Sequence, residues 1–152
     1  MSKKPIDYIF VGLQIGLFMG YLLLPEYTWA NVSVTVQYLF AFITIVGLLV
    51  LVIAILQLNT KLSPFPTPLN NSVLITNGLY HYVRHPIYTG IIVSMFGFSV
   101  YNSDYTKLLL TGTIVVLFYY KSEYEEKQLI KKFPTYPLYR NSTGRFLPKI
   151  TF

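Results

Sequence analysis

From Val34 to Leu58 the chain runs without one charged side chain, and its Gln37 and Gln57 stand near the two ends. Such a run exceeds the ~20 apolar residues that cross a hydrocarbon core about 30 Å thick. Lipid cannot hydrogen-bond a peptide group, so a run of this kind has to be helical. A second run, Ile6 to Leu24, is interrupted only by Asp7 at its edge and Gln14 inside, and Pro25 and Glu26 end it. Its Gly12, Gly16 and Gly20 recur every fourth residue, a small-residue stripe expected to pack closely on another helix. Tyr27, Trp29 and Tyr38 fall near the ends of the two runs, where an interfacial aromatic belt belongs.

Composition agrees. Hydrophobic residues make up 53% of the 152 and charged ones 12%, against roughly 25% charged in a soluble domain. An integral membrane protein with one compact domain is expected. Without cysteine, disulfides, thiolate zinc sites and a cysteine nucleophile are excluded. Lys3 and Lys4 precede an apolar run long enough to span, so no cleavable signal is expected.

Residues 59–87 form a cytosolic loop and a polar segment. In its first part Pro64, Pro66 and Pro68 alternate with Phe65 and Thr67, which forbids regular helix and favours an extended path. The two readings there are a plain linker and a cover over a site. The stretch Ser72 to Gly90 then crowds Gly, Pro, two His, an Arg and three Tyr between apolar runs. Residues 88–133 read as a helical hairpin with a cytosolic extension. Tyr88–Tyr101 and Leu108–Tyr120 are each too short to span at ~1.5 Å per residue. Both cross only if the first helix begins near His85 and the second continues past Tyr120 to Pro134. The tail, 134–152, contains Pro137, Gly144 and Pro148 and reads as irregular and surface-lying.

The expected fold is therefore an all-α membrane bundle of about four spans (1–58 supplying the first two), with both termini cytosolic. Of the 12 Lys and Arg residues, only Lys107 then lies on the outer side, a strong positive-inside asymmetry. This explains the net charge of +6 without nucleic acid. It also sets Ser72–Gly90 and Glu123, Glu125 and Glu126 on the same, cytosolic side.

His81 and His85, four residues apart, have a spacing that suits a metal. Pro86 disfavours helix at His85 and no third ligand stands out, so no metal is expected. Taken alone, Arg84 and His85 read as head-group anchors at a helix end. Three of the six acidic residues sit within Glu123–Glu126. A solvated Lys121–Glu125 pair would contribute only ~0.2–0.5 kcal/mol, whereas carboxylates at a membrane boundary are costly unless they bind something.

Leu74-Ile75-Thr76-Asn77-Gly78-Leu79-Tyr80, then Arg84-His85-Pro86-X-Tyr88-X-Gly90, Glu125-Glu126-X2-Leu129 and a Tyr-rich tail with Arg145-Phe146-Leu147-Pro148 resemble the isoprenylcysteine carboxyl methyltransferase family. The related phospholipid N-methyltransferases share much of this pattern. The resemblance covers about Pro64 to Pro148. It implies S-adenosylmethionine as donor, bound between the last helical hairpin and the cytosolic segments. It carries donor contacts to Ser72, Val73, Leu74, Ile75, Tyr80, His85, Pro86, Ile87, Tyr88 and Glu125. One turn before Glu125 the family has an acceptor-binding Arg, and this chain has Lys121. Lysine keeps the charge but loses the bidentate fork that suits a carboxylate. Arg84 is the second cation expected to meet the acceptor.

Methyl transfer from a sulfonium needs a linear approach, so holding donor and acceptor in line supplies most of the catalysis. A carboxylate acceptor needs no base. An amine or hydroxyl must lose a proton, for which His85 and Glu126 are the candidates, and Lys121 completes the expected catalytic set. The implied partners are the bilayer and a hydrophobic or lipid-linked acceptor, the implied place the inner membrane if the cell is prokaryotic. A non-catalytic membrane subunit and a sterol-reductase-like enzyme on a related scaffold are the competing readings.

Overall fold

The computed structural model describes residues 3–28, 32–58, 63–68 and 73–149. Ser72, Trp29 and Lys61 lie outside them. Five α-helices are formed among the described residues: α1 (Pro5–Leu23), α2 (Val34–Leu58), α3 (Pro86–Tyr101), α4 (Tyr105–Lys132) and α5 (Tyr136–Ser142). A 3-10 turn covers Gly78–His81. There is no strand among them, only isolated bridges at Thr28–Asp104 and Val83–Gly144.

The helix limits follow from local chemistry. In α1 the carboxylate of Asp7 accepts from the Lys4 backbone N–H at 2.8 Å, a favourable place for an acid at a helix N-terminus. In α4 Asp104 caps the first turn, accepting from Thr106 N at 2.9 Å and Lys107 N at 3.4 Å. The same carboxylate holds Lys107 Nζ at 2.8 Å, and Lys107 also pairs with Glu26. That triad fastens the exit of α1 to the α3–α4 turn. Helix α4 runs unbroken to Lys132 and stops just before Pro134, as the hairpin reading requires.

The helices pack in the order α1, α4, α3, α2. Helices α1 and α2 are long and apolar enough to cross a bilayer, and their outer faces carry exposed Leu22, Phe42 and Leu56. At the centre Tyr21, Met95, Ile114 and Phe118 form the buried core. Tyr21 donates its hydroxyl to Met95 O at 2.8 Å.

Two expectations are corrected here. Close helix packing does occur, but between α2 and α3. A Cβ on Gly47 would sit 2.4 Å from Ser94 N, and one on Gly90 2.6 Å from Leu51 N. The stripe on α1 meets a helix only at one end: a Cβ on Gly20 would lie 3.8 Å from Leu110 of α4, while one on Gly12 or Gly16 would meet no described atom within 4 Å. Spacing reveals that a face is small, not which neighbour it meets.

The tail is also more ordered than its prolines imply. Pro137 occupies the first turn of α5, where its missing N–H costs no bond. Beyond α5 the chain doubles back. Arg84 N donates to Gly144 O at 2.9 Å, His85 N to Arg145 O at 3.1 Å, and Gly144 N to Tyr82 O at 3.3 Å. Thr89 Oγ1 adds a bond to Phe146 O at 2.7 Å.

Candidate active site

Pro86 opens α3 and leaves His85 as its N-cap residue, so residues 82–85 lie outside any helix and pair with the tail. The 3-10 turn before them is anchored by Gln57 of α2, whose Oε1 accepts from Leu79 N at 3.0 Å. Gly78 takes φ +60°, and a Cβ there would meet the Gln57 amide at 2.2 Å. Glycine is needed at that point for both conformation and space. The Asn-Gly of the motif is thus what lets the segment turn against α2.

His85 is the hub. Its ring stacks parallel on Tyr88 with centroids 5.3 Å apart, and Tyr88 stacks on Phe118 at 4.4 Å. Nε2 of His85 lies 3.2 Å from Glu126 Oε1, and Nδ1 lies 3.7 Å from Glu125 Oε2. Tyr88 donates its hydroxyl to Glu125 Oε2 at 3.0 Å. The two neighbouring carboxylates therefore grip opposite edges of one imidazole.

Glu126 is almost wholly buried among cations. Arg84 Nε donates to it at 2.9 Å, and Arg140 and Arg145 lie 3.3 and 3.5 Å away. Burial pushes the Glu126 carboxyl up, but the hydrogen bonds and charges of His85 and Arg84 outweigh it and hold the group at about 2. Arg84 also donates to the carbonyls of Arg140 and Thr143. Glu123, by contrast, forms a solvated pair with Lys127 at 2.9 Å.

Two cavities meet at this hub. The first, with part of its mouth open, is walled by Val73, Leu74, Ile75, Tyr80 and Glu125 and by Phe133, Tyr136 and Tyr139 beyond. Phe65, Pro66 and Pro68 of the proline-rich segment also line it. Tyr136 is buried, and its hydroxyl has no hydrogen-bond partner among the described residues. Burial first, then the charges of Glu126 and Glu125, push that phenol well up. The second cavity is lined by Pro86, Ile87, Tyr88 and Ile91 of α3, Gln14 of α1 and Lys121 of α4. Tyr80, Arg84, His85 and Glu125 border both.

Lys121 is withdrawn from solvent. Its Nζ donates to Gln14 Oε1 at 2.6 Å and to Pro64 O at 2.9 Å. No Lys121–Glu125 ion pair is formed. Of the residues singled out from sequence, Val73, Leu74, Ile75, Tyr80, Arg84, His85, Pro86, Ile87, Tyr88, Lys121 and Glu125 line one cavity or the other. Glu126 lines neither and sits behind His85. His81 points away and packs edge-on against Tyr82; no group of three His, Cys, Asp or Glu that could hold a metal occurs among the described residues. Sequence reasoning missed Gln14, Tyr136, Tyr139, Arg140 and Arg145 as members of the site. Only the polarity of Gln14 inside an apolar run signalled any of them.

Comparison with individual curated proteins gives no match. A sequence model of the phospholipid methyltransferase family matches residues 36–135, from the start of α2 to the end of α4 and including every residue of the His85 hub except the tail arginines. With a match over about two thirds of its length, the chain belongs to the phospholipid methyltransferase family and is a membrane methyltransferase.

Proposed function

We propose that this protein transfers a methyl group from S-adenosylmethionine to the head of a membrane lipid. A lipid amine of the phosphatidylethanolamine type is the first acceptor to test and a prenylcysteine carboxylate the second. The observation that carries the reading is the meeting of two cavities at Tyr80, Arg84, His85 and Glu125, one for each reactant. Four spans with both termini cytosolic go with this reading, because α3 and the first part of α4 then complete the bundle and the basic residues gather on one side.

The first cavity fits the donor. It offers an apolar wall at Val73–Ile75, a carboxylate at Glu125, and in Tyr136 a buried hydroxyl still lacking a partner. When bound, the donor supplies an electrophilic methyl on a sulfonium and leaves as a neutral thioether. Pro86 and Ile87, which line the second cavity next to His85, and Ser72, outside the described residues, complete the proposed donor set. Tyr88 holds Glu125 in place by its 3.0 Å bond.

In the second cavity Lys121 and Arg84 set a positive field for the anionic part of the acceptor head. A carboxylate acceptor attacks without a base. An amine gives up its proton, and His85 with Glu125 is the pair at the seam to receive it. Glu126, held ionised near 2, is a weak base, and we assign it to fixing Arg84 and His85. The test is to incubate membranes carrying the protein with methyl-labelled donor and identify labelled lipid. Absence of labelled lipid, together with absence of S-adenosylhomocysteine binding to the purified protein, sinks the proposal.

A further inference from the structure

We infer that Gln14, on α1 and outside the family-matched region, is a positioning and specificity-determining residue for the acceptor. It aims the Lys121 ammonium into the second cavity and adds an amide donor beside it, so that the pair selects an acceptor carrying an oxyanion. The inference rests on the reading of that cavity as the acceptor's.

A glutamine within a membrane run is costly unless its amide is used. Here Lys121 has only hydrogens to give, so the oxygen of the Gln14 amide must face it, and the 2.6 Å contact is to Oε1. That choice turns the NH2 group elsewhere. Gln14 lines the second cavity, and its Nε2 bonds to nothing among the described residues. The second acceptor on Lys121, Pro64 O, is also neutral. No carboxylate comes within ion-pair distance of Nζ among the described residues, so the buried charge meets two neutral dipoles and, 5.6 Å away, the face of the Tyr88 ring. One buried ammonium next to one unused amide donor is an arrangement that a phosphate or carboxylate oxygen satisfies and a neutral hydroxyl does not.

The third hydrogen of Nζ and the Gln14 NH2 thus act together. Replacing Gln14 with leucine removes both the dipole that fixes Lys121 and the amide donor. Replacing it with glutamate keeps Lys121 in place by an ion pair but cancels the charge that attracts an anion.

The experiment follows the thermal stability of the full chain in neutral detergent against added hexadecyl phosphate and, in parallel, hexadecanol. The parent is expected to bind the phosphate about ten-fold more tightly than the alcohol, the discrimination of one charged hydrogen bond. Gln14→Leu and Gln14→Glu are each expected to lose most of that preference while retaining the parent's affinity for S-adenosylhomocysteine. A parent that treats both probes alike, or a Gln14→Leu protein that keeps the preference, overturns the inference. Should Gln14→Leu fail to fold, Gln14→Glu decides in the same way. A parent that does not bind S-adenosylhomocysteine would refute the donor reading alone, since the phosphate-to-alcohol comparison does not depend on it.

Discussion

Arg84 and Glu126 form a 2.9 Å ion pair whose two side chains are 8% and 2% exposed. Arg84 precedes α3 and Glu126 lies near the end of α4, and the same carboxylate serves His85, Arg140 and Arg145. Removing it leaves those cations facing one another.

Glu126→Ala is therefore expected to destabilise the protein by about 3–5 kcal/mol, the cost of leaving a buried pair uncompensated. Thermal unfolding in detergent should show a large drop in Tm, and limited proteolysis should cut the tail between α5 and Lys149 first. An unchanged Tm would contradict the role given to this residue.

The pH dependence follows from the same group. Its folded value of about 2 lies below the ordinary 4.5, so below pH 4.5 the unfolded chain takes up a proton that the folded one does not. Its stabilising contribution is complete above about pH 4.5 and is lost progressively towards pH 2. Comparing Tm against pH for the parent and Glu126→Gln should show the two curves converging across that window.

Glu125→Ala is expected to weaken S-adenosylhomocysteine binding by about ten-fold or more, the loss of a charged hydrogen-bond partner. Tyr88→Phe, which removes the hydroxyl holding Glu125, should weaken it by only about three- to ten-fold, as for a bond of 0.5–1.5 kcal/mol. Lys121→Ala should leave donor binding intact and raise the KM for acceptor. Isothermal titration and initial-rate measurements separate these outcomes.

At the helix interfaces, Gly47→Ala must push a Cβ into the Ser94 backbone and is expected to lower Tm markedly, whereas Gly12→Ala meets open space and should be neutral. Equal effects would mean that the α2–α3 contact is looser than described.

Much of the fold was legible because lipid makes the rules simple. The limits of α2 follow from its apolar run, and the end of α4 from Pro134, which stops it. What was not legible depends on contacts between distant residues. Nothing near Gly144 announces that its backbone will pair with Tyr82 and Arg84, and nothing near Lys121 names Gln14. The site was half readable for the same reason. The residues of Ser72–Gly90 stand together in sequence, and those of the tail join them only in space. Proline misled at Pro137 because the first turn of a helix tolerates what its middle does not.

The backbone bonds joining 82–85 to 144–146 also set the order in which the protein can be made. Helix α1 enters the membrane first, yet it packs on α4, the last long helix to be synthesised. The edge of the first cavity at Arg84 and His85 stays unpaired until Gly144 and Arg145 have left the ribosome. The surroundings of His85 are thus completed in one late step.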